Sequence, residues 1–152
     1  MKRASLSIMA LASLVLVGCS STDDSLLDQT SNVGNVNTTL YLRGDFTLWE
    51  AQKAYQLTQQ TANVYSTKVK FGSIGKAYEF KVADANWTQG YNCGFKNEDL
   101  DKFLEVGIPV QANCDSVYNY FSFTPYEAGW YEVSINFRNK STPLVTINQI
   151  FE

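Results

Sequence analysis

Three cysteines, no histidine and scattered carboxylates define the chemistry open to this 152-residue chain. Without an imidazole there is no Ser-His-Asp or Cys-His nucleophile, and the commonest general base and zinc ligand are missing. Glu98, Asp99 and Asp101 could ligate calcium. Following Asn97, however, they also suit the start of a helix, where carboxylates meet the positive end of the dipole. Glycoside hydrolysis needs two carboxylates at a controlled separation in a cleft, and no pair stands out. The residue inventory points away from catalysis, and no cofactor is implied.

The cysteines divide by position. Lys2 and Arg3 precede an apolar run over residues 4–17, too short to span a bilayer comfortably, which ends in Leu16-Val17-Gly18-Cys19. This is the pattern of a secretory signal, and its last four residues resemble the lipobox of bacterial lipoproteins. The resemblance implies cleavage before Cys19 and acylation of its sulfur and new amino terminus. Ser20 follows, not the Asp that retains many lipoproteins at the inner membrane. An outer-membrane location is therefore expected, on either its periplasmic face or the cell surface. Removing residues 1–18 leaves 134 residues, with ten Lys+Arg against fifteen Asp+Glu and a net charge of −5. So acidic a chain has no electrostatic footprint for nucleic acid or anionic lipid, and its membrane attachment is expected through the acyl chains on Cys19. The two cysteines that remain, Cys93 and Cys114, read as a disulfide in an exported protein. It would close a loop of about 20 residues and stabilise the fold by roughly 3 kcal/mol. Free thiols or half a metal site are the alternatives, the latter poor without histidine.

Residues 19–38 lack aromatic side chains and are rich in Ser, Thr, Asn and Asp, as expected of a flexible tether. Residues 39–152 show short alternating runs divided by turn residues, the pattern of an all-β domain. Leu40 to Arg43 alternate before Gly44. Tyr65, Thr67, Val69 and Phe71 share one strand face, opposite Ser66, Lys68 and Lys70. Tyr78, Phe80 and Val82 share another, opposite Glu79 and Lys81, so the Lys81 ammonium is expected to point outward. Asn119, Phe121 and Phe123 form a further strand. Tyr131, Val133, Ile135 and Phe137 form the next, with Trp130 on its other side, expected to be exposed or near an edge and to serve packing ahead of binding. Leu144 to Ile150 closes the series. Glu50 to Gln60 reads as a loop leading into a strand that contains Tyr55 and Leu57. Asn97 to Leu104 predicts one or two helical turns between the two cysteines. The whole reads as a small β-sandwich with a short helical insertion.

Two segments then carry a resemblance. Leu40-Tyr41-Leu42-Arg43-Gly44-Asp45-Phe46-Thr47-Leu48-Trp49 and Tyr78-Glu79-Phe80-Lys81-Val82-Ala83-Asp84-Ala85-Asn86-Trp87 resemble the immunoglobulin-like starch- and glycogen-binding modules. That family includes the N-terminal domains of pullulanases and isoamylases and the glycogen-binding domain of the AMP-activated protein kinase β-subunit. Pro125 to Tyr131 and Pro143 to Ile147 look like its last two strands. The resemblance spans about residues 38–150. It implies an immunoglobulin-like sandwich, no catalytic activity, and an α-glucan platform of Trp49 and Trp87 with Lys81 between them. Thr47-Leu48 departs from the family, which usually has Asn or Gly between the Phe and the Trp. The insertion after Trp87 could cover the platform. The leading expectation is a lipid-anchored module that binds an α-glucan or another glycan. The runner-up is an accessory or assembly lipoprotein that uses the fold to hold an envelope protein partner. Arg43-Gly44-Asp45 spells an adhesion tripeptide, but it ends a strand and opens a turn.

Overall fold

The computed structural model describes residues 36–151 apart from residue 116. The signal segment, Cys19 and the tether through residue 35 lie outside the described residues. Ten strands follow one another: β1 (Leu40–Gly44), β2 (Thr58–Gln59), β3 (Val64–Phe71), β4 (Tyr78–Asp84), β5 (Asn92–Phe95), β6 (Phe103–Leu104), β7 (Val110–Asn113), β8 (Phe121–Phe123), β9 (Gly129–Asn136) and β10 (Leu144–Ile150). One helical turn, α1 (Glu98–Asp101), precedes β6. Nine strands lie on one hydrogen-bonded path, β2-β3-β9-β10-β7-β5-β4-β8-β6, and β1 pairs with β4 off that path. The protein is an all-β sandwich. One layer runs β2-β3-β9-β10-β7, the other gathers β1, β4, β5, β8 and β6, and the β5–β7 pairing joins them.

Alternation builds the layers. β3 and β9 pair antiparallel over their full lengths, from Val64 opposite Asn136 to Phe71 opposite Gly129. Val69, Phe71, Tyr131, Val133 and Ile135 are buried, while Lys68 and Lys70 face solvent. Phe71 carries the contact between layers: its ring centroid lies 4.5 Å from Tyr78 and 5.5 Å from Phe123, and 5.6 Å from Tyr131 of its own layer. Burying such aromatic side chains contributes roughly 2–3 kcal/mol each, and the tilted and edge-on ring pairs add to it.

Three expectations change. Tyr55 is not in a strand. Residues Lys53–Tyr55 form a 3₁₀ turn, and the strand after it is the two-residue β2, beyond the buried Leu57. Phe46 sets its ring edge-on to Tyr55 at 5.4 Å, a contact that ties this segment to the core. Asn119 lies before β8 and not within it, because its side chain and carbonyl are drawn inward to Phe95, Asn113 and Lys81. The segment between the cysteines holds α1, as expected, but also β6, β7 and the second half of β5.

Cys93 and Cys114 form the disulfide, 21 residues apart in sequence. Asn97 caps α1 by accepting the Asp99 N–H at 3.0 Å. Asp101 accepts the backbone N–H of Asn97 (2.9 Å) and of Gln111 (2.8 Å), so this carboxylate holds the insertion together. Beside the bridge, Gly94 lets the Asn119 backbone come so close that any side chain there would overlap its carbonyl. Gly94→Ala is expected to cost about 3 kcal/mol in urea unfolding, the scale of overpacking against an immovable backbone. Gly72→Ala, whose added methyl meets nothing within 4 Å, should stay within about 0.5 kcal/mol of the parent. Equal midpoints for the two variants would show that the Asn119 contact is not a constraint.

Candidate functional site

The site starts from the β1–β4 pairing, in which Arg43 lies opposite Lys81, Gly44 opposite Phe80 and Leu40 opposite Asp84. Leu42, Phe80 and Val82 are fully buried in the core. Period-two alternation therefore sends Arg43 and Lys81 to the other face of the layer.

Each strand runs into a tight turn that carries one tryptophan. After β1, a 3₁₀ turn spans Asp45–Thr47. Thr47 Oγ1 donates to the Gly44 carbonyl and accepts the Gly44 N–H, both at 3.0 Å. The Trp49 N–H donates to the Gly44 carbonyl at 2.8 Å. Leu48 and Trp49 have φ of 53° and 63°, left-handed values that L side chains rarely adopt. After β4, Asp84 Oδ1 accepts the backbone N–H of Asn86 (3.2 Å) and of Thr88 (2.8 Å), and Trp87 between them has φ 57°. Burial pushes the Asp84 carboxyl upward, but the Thr88 and Asn86 hydrogen bonds and the Arg43 charge prevail and hold it below its ordinary value. Arg43 lies between the two turns. Its Nε donates to the Trp49 carbonyl (2.7 Å), its Nη1 donates to the carbonyls of Asp84 (2.7 Å) and Ala85 (3.1 Å), and its guanidinium carbon sits 3.5 Å from the Trp87 ring centroid.

Trp49, Lys81 and Trp87 line one pocket of about 300 Å³ together with Asn92, Val117, Tyr118 and Tyr120. Both indoles are half-buried. The disulfide-bridged insertion walls this pocket and does not cover it: Asn92 opens β5, while Val117, Tyr118 and Tyr120 follow Cys114. The Tyr120 ring stands 6.1 Å from Trp49 at 62°. Trp130 lies apart, 38% exposed on β9 beside Lys70 and outside this pocket, in keeping with the exposed position expected of it.

Lys81 corrects another expectation. It lies on the outer face, yet only 3% of it is exposed, and its Nζ donates to Asn119 Oδ1 at 2.7 Å. Asn119 is anchored in turn through Nδ2, which donates to the carbonyls of Phe95 and Asn113, each at 2.9 Å. Alternation gives the face of the sheet but not what later segments fold over it. Asn92 went unnoticed in the sequence. It is 6% exposed, it lines the pocket, and its Oδ1 is buried with no hydrogen-bond donor among the described residues. A buried amide oxygen without a donor is costly. Its place beside Cys93, five residues after Trp87, was the one available signal. Among the described residues no group of three His, Cys, Asp or Glu side chains could hold a metal, and no helix is long and apolar enough to cross a membrane.

Burial lowers Lys81 from an ordinary 10.5 to about 8. Between those values the unfolded chain holds a proton that the folded one has released, so stability rises with pH through the window. The cost of burying the charge is fully present below pH 8. Wild-type protein should gain on the order of 2 kcal/mol over Lys81→Met between pH 8 and 10.5, measured by urea unfolding at closely spaced pH. A difference that stays flat would place the Lys81 proton outside that range.

No protein-family model matches the chain, and no curated protein matches it. Among solved structures it is similar to the ligand-induced structure of AmyP-SBD, a starch-binding domain. The two share 20% sequence identity over 97% of each chain, with a TM-score of 0.56. At that identity the likeness shows the fold alone.

Proposed function

We propose that this chain is a non-catalytic carbohydrate-binding protein that holds an α-glucan-like sugar chain between Trp49 and Trp87. The observation that carries this reading is the pocket itself, in which two half-buried indoles, a lysine and an unsatisfied amide oxygen come together. Sugars combine apolar C–H faces with a rim of hydroxyls. Indole rings match the faces, while Lys81 and the phenol groups of Tyr118 and Tyr120, which line the same pocket, can hydrogen-bond hydroxyls. Turns fixed by Thr47 and Asp84 lose little entropy when a ligand arrives. The likeness to a starch-binding domain supports the same reading. No carboxylate lines the pocket, so the acid and base that glycoside hydrolysis requires are not at hand there. The alternative of a protein-binding accessory factor is better served by a buried tryptophan pair, and both rings here keep solvent exposure.

Covering one indole face removes about 100 Å² of apolar surface, roughly 2.5 kcal/mol. Two faces, less the cost of ordering the sugar, leave about 4–5 kcal/mol, a dissociation constant in the millimolar to sub-millimolar range. Titration of the purified protein with maltoheptaose, followed by tryptophan fluorescence, should saturate in that range. Trp49→Ala and Trp87→Ala should each weaken binding at least tenfold, and Trp130→Ala should not. A flat titration to several millimolar would remove the glycan reading.

The protein is further proposed to be lipid-anchored in a bacterial envelope, at the outer membrane, through acyl chains on Cys19. The support is the sequence: Lys2 and Arg3, the apolar run, and Leu16-Val17-Gly18-Cys19 followed by Ser20. Weak binding by one module suits a protein displayed in many copies on a surface, where valency raises avidity. Cells fed labelled palmitate should incorporate it into the wild-type chain and not into Cys19→Ser. Equal labelling of the two would place any acyl group elsewhere.

A further inference from the structure

Resting on that reading of the pocket, we infer that Arg43 is the positioning residue of both tryptophans: one guanidinium holds Trp49 by its backbone and Trp87 by its ring, so the two indoles are ordered together. Four contacts converge on this side chain. Nε donates to the Trp49 carbonyl at 2.7 Å, Nη1 donates to the carbonyls of Asp84 (2.7 Å) and Ala85 (3.1 Å), and the guanidinium stacks 3.5 Å from the centre of the Trp87 ring. The Asp84 and Ala85 carbonyls lead into the turn that carries Trp87, so both tryptophan turns end on one rigid group.

The arrangement requires arginine. Arg43 pairs with Lys81 across the strands, while Asp84 lies three residues further along, at the end of β4, roughly 10 Å away at the rise of a strand, with Ala85 just beyond it. Only a long side chain covers that span. A planar fork can also donate along its edge while its face lies on an indole, which an ammonium cannot do. Arg43 is only 4% exposed, and its charge is met by carbonyl dipoles and a ring face, with Glu50 and Asp84 near enough to offset part of the cost of burial. Both tryptophans sit in left-handed backbone, and such conformations persist where surrounding contacts over-determine them. Arg43 supplies such contacts to both. Its stacking also covers one face of Trp87, which leaves only the opposite face to a sugar.

The chain has three tryptophans and three arginines, few enough to resolve singly by NMR. In the wild-type protein labelled with fluorotryptophan and ¹⁵N-arginine, the Arg43 Nε–H should exchange slowly with solvent, as a bonded donor does, and show cross-peaks to the Trp87 ring protons. A fast-exchanging Arg43 Nε–H without those cross-peaks would overturn the inference without any variant. In Arg43→Lys the Trp49 and Trp87 fluorine signals should both shift and broaden, with Trp130 unchanged as the internal control. Maltoheptaose affinity should fall at least tenfold while the near-native far-UV signal is kept. Arg43→Gln, which keeps one donor without the stack, should behave like Arg43→Lys. A variant in which only one tryptophan signal moves, or in which affinity is unchanged, would overturn joint positioning. If the wild-type protein does not bind maltoheptaose, the glycan reading fails, and the fluorine and arginine signals still decide whether Arg43 orders the pair.

Discussion

The five-residue pairing of β1 with β4 is the constraint on which the rest of this structure depends. Its inner face supplies Leu40, Leu42, Phe80 and Val82 to the core, and its outer face supplies Arg43 and Lys81. Two cations directly opposite one another on a sheet repel, and here they part. Arg43 runs along β4 toward the turn beyond Asp84, and Lys81 turns to the amide of Asn119. A shift of one residue in this register would exchange faces, sending leucines to the pocket and charges to the core. The aromatic packing of Phe71 on Tyr78 opposes such a slip, because Tyr78 belongs to the same strand as Lys81. Core and site are therefore specified by one alignment.

Above that alignment the backbone is under local strain. The non-glycine residues with positive φ among the described residues are Leu48, Trp49 and Trp87, and two of the three are the pocket's tryptophans. Each such residue costs on the order of 1 kcal/mol. The contacts that offset the cost are local and polar: Thr47 folding back on Gly44, and the Asp84 carboxylate gathering two backbone N–H groups. Gly44 contributes through what it lacks, since a side chain there would overlap the Glu79 carbonyl on the neighbouring strand. So many contacts over-determine the local backbone, and they fix two indoles beside one pocket.

The long strands were legible in the sequence because their signal is local. In β3, β4 and β9, each seven or eight residues long, alternation picks out the large apolar core residues, although Ser66, Lys81 and Ala83 on the other faces are buried as well. β5, β6 and β7 were not legible. They run two to four residues, and Asn92-Cys93-Gly94-Phe95 has the composition of a turn. Their pairing depends on a disulfide, a glycine at a close approach and the Asp101 carboxylate, none of which has a period. Tyr55 misled for a related reason, since its partner is Phe46 and not a strand neighbour. In the site, Trp49, Lys81 and Trp87 were reached through family resemblance, and the structure brings them into one pocket. Asn92 and the burial of Lys81 were out of reach, because each depends on residues from beyond Cys114 folding back over β4. The bonds made by Arg43 were hidden as well, its neighbours Gly44 and Asp45 suggesting a turn and nothing more.

The two sides of the pocket differ in how they are held, and that difference bears on what a ligand would meet. Trp49, Lys81 and Trp87 rise from paired strands and from turns closed by several hydrogen bonds. The opposite wall, Val117, Tyr118 and Tyr120, belongs to no strand and is tied at Cys114 behind it and at Asn119 within it. Asn119 is the joint between the sides, since its Oδ1 takes the Lys81 ammonium while its Nδ2 holds Phe95 and Asn113. Tyr118 and Val117 remain largely exposed. Such a wall can close against a sugar at the cost of ordering a few side chains, whereas the indoles opposite have already met theirs in the folded state. The rigid side would then set where a sugar ring lies, and the tyrosine side would set how much of it is enclosed.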